Sequence, residues 1–107
     1  MPGQLGLDIS HEGGRATVAV SGDLDMNGTL VLEPRLEGIV SDARPETLVL
    51  DLRRVDFIDS VGLGLLLGAQ HAAQAEGHRL EIIRPRPEVH RILELTGYDE
   101  VLPLVDG

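Results

Sequence analysis

The segment Thr47-Leu48-Val49-Leu50-Asp51-Leu52-Arg53-Arg54-Val55-Asp56-Phe57-Ile58-Asp59-Ser60-Val61-Gly62-Leu63-Gly64 decides the fold. Its first six residues are almost continuously apolar, which suits a strand covered on both faces and therefore central in its sheet. This reading ends the strand near Leu52, anchors the following turn in the core through Phe57-Ile58, and starts a helix at Asp59 or Ser60. Leu63, Leu66, Leu67 and Ala73 then share one face at helical spacing. A buried strand running straight into a helix is the repeating step of an α/β fold.

Upstream, Leu5, Leu7 and Ile9 alternate with Gly6, Asp8 and Ser10, and Thr17-Val18-Ala19-Val20 follows Gly13-Gly14. Two short runs flanking a glycine turn read as a hairpin. Leu32, Leu36, Ile39 and Val40 mark a first helix, with Asn27 or Thr29 as its cap. Pro34 lies too far inside that helix for comfort, so a late start or a kink is expected. Downstream, Arg79 to Ile83 reads as a strand. Val89, Ile92 and Leu93 mark a third helix, opened by Pro87 and closed by Gly97. Val101-Leu102 reads as a short edge strand limited by Pro103.

The expected order is ββαβαβα with a short last strand: an α/β fold with a mixed β-sheet and one layer of helices packed against it. The 107 residues suffice for a single domain, 1–107, with one core. Only Phe57 and Tyr98 are aromatic, so that core is aliphatic and base stacking on aromatic platforms is excluded as a binding mode. A formal charge of -9 repels phosphate backbones and anionic membrane surfaces, so neither direct nucleic-acid binding nor membrane insertion is expected. With no cysteine there is no disulfide framework, thiol nucleophile or cysteine-based zinc site. Met1 to Ser10 lacks a basic region followed by an apolar run, and no stretch has the ~18 apolar residues of a spanning helix, so a cytoplasmic location is expected.

Ser60 at a helix start can be simply a cap. The same position also suits a phosphoserine, because free amides and the positive end of the helix dipole stabilise an anion there. Gly62, Gly64 and Gly68 each cost about 1 kcal/mol relative to Ala in a helix and leave the backbone open to a close neighbour. Leu63, Leu65, Leu66 and Leu67 wrap most of the helix, so at least one is expected at the surface beside Ser60, unless all four enter the core.

Asp59-Ser60-Val61-Gly62-Leu63, with Val49-Leu50-Asp51-Leu52 and Val55-Asp56-Phe57-Ile58 before it, resembles the phosphorylation segment of STAS domains, specifically the bacterial anti-sigma factor antagonists. Gly22-Asp23-Leu24-Asp25 and Arg91-Ile92-Leu93-Glu94-Leu95-Thr96-Gly97 extend the resemblance over nearly the whole chain. It implies that Ser60 is phosphorylated by an anti-sigma factor that is itself a serine kinase. The unphosphorylated antagonist binds that kinase and releases a sigma factor, and a PP2C-like phosphatase restores the active form. Asp23, Asp25, Asp59, Ser60, Val61, Gly62, Leu63 and Leu66 are the partner-binding residues this implies. Asp25 otherwise reads as a turn residue closing the hairpin. Met26-Asn27-Gly28-Thr29 and Pro34 depart from the family's Ala-rich entry to the first helix.

No enzyme is expected. Ser60 is not in a Gly-x-Ser-x-Gly elbow, and His11, His71, His78 and His90 read as solvent-exposed rather than as a base. No cofactor or metal is expected either. His90 and Glu94, four apart, are two ligands only. The acidic set Asp23, Asp25, Asp56 and Asp59 has no lysine anywhere in the chain to support a phosphoaspartate pocket. The rival to the antagonist reading is the same fold as a scaffold of a stress-signalling complex, or as a regulatory subunit of a lipid or anion transporter.

Overall fold

The computed structural model describes residues 4–42 and 45–107. Strands β1 (Gly6–Glu12) and β2 (Arg15–Leu24) form the hairpin, followed by α1 (Met26–Ser41), β3 (Thr47–Ile58), α2 (Ser60–Ala75), β4 (Arg79–Ile83), α3 (Pro87–Thr96) and β5 (Leu104–Val105). A single sheet has the order β1-β2-β3-β4-β5. The hairpin pair is antiparallel and every later pair is parallel, which makes the sheet mixed and β3 central.

Period-two alternation sends Ala16, Val18, Leu48, Leu50 and Ile82 to one face, where they join Leu32, Leu36, Leu63, Leu66, Val89 and Leu93 from the three helices in one buried cluster. The alternate positions carry charge. There Arg15 reaches Glu81 at 3.1 Å and Arg53 reaches Asp51 at 2.8 Å, while Val49 is buried among them at 2 % exposure.

Four local expectations are corrected. The third strand does not stop near Leu52 but continues through Ile58 with two register shifts against β2, which replace alternation by a period of three: Leu52, Val55 and Ile58 are buried between exposed Arg53, Arg54, Asp56 and Phe57. Phe57 accordingly does not anchor the turn; it is 46 % exposed. The first helix starts at Met26 and runs through Pro34. Proline there removes the donor to the carbonyl four residues back, that of Leu30, and both residues are exposed, so water can serve that oxygen. The last strand is Leu104–Val105 rather than Val101-Leu102, which belong to a turn following a one-turn 3₁₀ helix, Tyr98–Glu100.

The histidines divide as well. His11 and His71 are exposed, but His78 is 8 % exposed, with Nδ1 2.7 Å from the Pro45 carbonyl oxygen and Nε2 2.7 Å from that of Val40. A ring nitrogen that carries a proton donates to the carbonyl it faces, and the ring spans the end of α1 and the entry of β3. His78 is therefore a structural clamp, not a surface residue.

Candidate functional site

The site is built on a strand register. Leu24 at the end of β2 pairs with Ile58 at the end of β3, so two parallel strands finish side by side and two helices start side by side. Asp25 caps α1 by accepting from the Gly28 amide at 2.9 Å. Asp59 caps α2 by accepting from the amides of Val61 and Gly62 at 2.9 and 3.1 Å. Both are aspartates with extended backbone, each followed three residues later by a glycine. The spacing Asp-x-x-Gly thus occurs twice, as Asp25-Met26-Asn27-Gly28 and as Asp59-Ser60-Val61-Gly62.

Both glycines have a steric reason. A Cβ on Gly28 would collide with the carbonyl of Asp23, and one on Gly62 with the carbonyl of Leu24. The first turn of each helix sits directly on the backbone of the strand β2. Sequence reading missed this equivalence; the repeated Asp-x-x-Gly, each copy straight after an apolar strand end, is the signal that carries it. It also gave Asp25 a hairpin-closing role and proposed Asn27 or Thr29 as cap, whereas Asp25 is the cap.

Ser60 is exposed and is the first residue of α2, immediately after the Asp59 cap. The helix has no acidic residue in its first turn, so its amide end is not already occupied by a neighbouring carboxylate other than the cap. Among the described residues no hydrogen bond links Ser60 to a histidine. Asp23, near the end of β2, and Asp25, the cap of α1, are half-buried, and Asp56 pairs with Arg86 at 3.0 Å.

The expected contact residues separate into two groups. Asp59, Ser60 and Val61 reach the surface or its edge, but Gly62, Leu63 and Leu66 face inward, with Leu63 4 % and Leu66 0 % exposed. Leu65 is buried as well and Leu67 half-buried. Gly62, Leu63 and Leu66 therefore do not offer direct partner contact: α2 packs on β3 and β4 and beside α1, and these residues are buried there. The exposed apolar residues at this end of the molecule are instead Met26, Leu30, Phe57 and Val61, at 62, 69, 46 and 37 %. Met26 and Val61 stand in the first turns of α1 and α2, Leu30 one turn further along α1, and Phe57 next to the last residue of β3. From Val61 a shallow groove runs between α1 and α2 past Gly64 and Gly68 to Glu76.

Comparisons with known proteins converge on one family. The sequence profile of the family described as "Mlab, STAS domain" matches residues 7–106. The chain is 28 % identical over 103 residues to the anti-sigma F factor antagonist of Paenibacillus polymyxa, covering 96 % of this chain and 88 % of that one. It is 28 % identical over 93 residues to an anti-sigma-B factor antagonist of Staphylococcus aureus, covering 84 % and 82 %. The crystal structure of an anti-sigma factor antagonist from Mycobacterium paratuberculosis superposes with a TM-score of 0.88 at 31 % identity, covering 100 % of this chain and 90 % of that one.

Proposed function

Because the chain belongs to the STAS-domain family, we propose that it is an anti-sigma factor antagonist working by partner switching, with 1–107 as one STAS domain. Its unphosphorylated form binds an anti-sigma factor, which is a serine kinase, and so releases a sigma factor. That kinase phosphorylates Ser60 and ends the binding, and a PP2C-like phosphatase reverses the modification. The protein acts by binding and not by catalysis, in the cytoplasm. No helix among the described residues is long and apolar enough to cross a membrane.

The observation that supports this reading is the placement of Ser60: exposed and first in α2, between the Asp59 cap and exposed Val61, at the paired strand ends that also carry exposed Phe57 and Met26. An apolar surface that carries a hydroxyl can dock a partner and be cancelled by one charge. Phosphorylation adds about -1.5 to -2 charges, and the amide end of α2 accommodates them without unfolding the helix. A partner carboxylate 4 Å away is then repelled by roughly 1 to 4 kcal/mol, depending on screening. Since about 1.4 kcal/mol is tenfold in affinity, the lower end already weakens binding severalfold and the upper end abolishes it at ordinary concentrations.

The test is recovery of a kinase-type anti-sigma factor by wild type, Ser60→Ala and Ser60→Asp. Wild type and Ser60→Ala should retain it and Ser60→Asp should lose it. Incubation with that kinase and ATP should then add one phosphate to the peptide containing Ser60. Equal recovery by all three proteins removes the switch.

A further inference from the structure

His90 and Glu94 stand one turn apart on α3, and the fold adds a third group that their spacing alone does not reveal. Gly97, at φ 78°, ends α3 in the left-handed conformation and turns the chain into the 3₁₀ helix that carries Asp99. One ligand atom each from His90, Glu94 and Asp99 then lie within 4.8 Å of one another. Among the described residues no ion pair or hydrogen bond joins these side chains to each other or to an arginine. His90 Nδ1 is buried and has no hydrogen-bond partner.

Two carboxylates facing each other without a cation repel, and a buried ring nitrogen without a partner carries a desolvation cost. A metal ion that takes one atom from each group removes the repulsion between the carboxylates, and gives the imidazole a partner for the nitrogen that faces it. With bonds of about 2.0–2.2 Å to nitrogen and oxygen, ligand atoms around one ion stand roughly 3 to 4.3 Å apart, so a small rotation of the exposed Glu94 closes the set. We propose that His90, Glu94 and Asp99 form a binding site for a divalent transition-metal ion of the Zn²⁺ class, completed by water.

The imidazole sets the class. A site of carboxylates and water suits Mg²⁺, whereas a ring nitrogen among the ligands favours Zn²⁺. The ion ties the last turn of α3 to the 3₁₀ helix that leads into β5. Nothing in this site depends on Ser60, so it stands or falls apart from the switch.

The test uses the untagged full chain, stripped of metal with a chelator and titrated with ZnCl₂ by calorimetry, with thermal unfolding followed in parallel. One Zn²⁺ per chain and a raised melting temperature are expected. His90→Gln, Glu94→Gln and Asp99→Asn should each weaken binding at least tenfold, while His71→Ala on exposed α2 should leave it unchanged. Glu94 is exposed, so its variant keeps the fold and the test remains decisive if another variant unfolds. Absence of saturable binding overturns the proposal. So does undiminished affinity in Glu94→Gln, or MgCl₂ binding as tightly as ZnCl₂.

Discussion

Gly62 rests against the carbonyl oxygen of Leu24 so closely that no Cβ fits between them. The first turn of α2 is thereby seated on the end of β2, one strand away from the strand that precedes it.

Gly62 and Gly64 should consequently respond in opposite directions to the same change. Gly62→Ala must push α2 off the Leu24 carbonyl and should destabilise the protein by more than about 1 kcal/mol, the scale of an overpacked core site. A Cβ at Gly64 meets nothing within 4 Å, so Gly64→Ala should raise stability by up to about 1 kcal/mol through helix propensity alone. Urea unfolding of the two variants checks the pair, and a loss in both would contradict the packing described for α2.

Stability and switching should separate at the neighbouring positions 59 and 60. Asp59→Ala removes the acceptor of two amides and should cost about 0.5–2 kcal/mol. Ser60→Asp puts a carboxylate at the positive end of the helix and should stabilise by roughly 0.3–1 kcal/mol at low salt. Thermal melts of both, set beside their binding of the anti-sigma factor, distinguish a charge switch from simple unfolding: Ser60→Asp should fail to bind while fully folded.

Replacing the His78 clamp should be expensive for its size. His78→Ala leaves the carbonyls of Val40 and Pro45 without their ring partner in a buried place. The expected loss is about 1–3 kcal/mol for each oxygen that water cannot reach. Chemical denaturation measures it, and His71→Ala on the surface of α2 is the control that should be close to neutral.

The charged face of the sheet should give a pH dependence. The Arg53 guanidinium donates to Asp51 at 3.0 and 2.8 Å, and with the Arg53 amide it holds the Asp51 carboxyl below its ordinary 3.8 despite partial burial. A lowered folded-state value means that the unfolded chain takes up the proton first. The contribution is therefore present above pH 3.8 and is lost as pH falls below it through the folded-state value. Wild type should lose stability more steeply than Asp51→Asn across that acid range. Parallel slopes would show that the pair does not contribute.

How far the sequence carried the reading depends on punctuation. The bounds of α3 were legible because Pro87 and Gly97 mark both ends. Strand β5 was displaced by three residues because two apolar pairs flank Pro103 and only backbone pairing with Ile82 and Ile83 chooses between them. The far half of β3 was hidden by Arg53-Arg54, a charged pair that resembles a loop in isolation but lies along an extended strand. At the site, Ser60 was identifiable at a helix start, whereas the four leucines of α2 could not be assigned to inside or outside until α1 was seen to cover them. Asp99 was invisible as a neighbour of His90, since only the left-handed turn at Gly97 brings it there.

The duplicated Asp-x-x-Gly turn has a bearing on how a modifying enzyme could choose its residue. Met26 holds in α1 the place that Ser60 holds in α2, after the same kind of cap and at the neighbouring strand end. One scaffold therefore presents two near-equivalent platforms, and only one displays a hydroxyl. Moving the proposed acceptor by Met26→Ser with Ser60→Ala separates backbone presentation from sequence context as the source of substrate choice, within a single fold and at the neighbouring strand end.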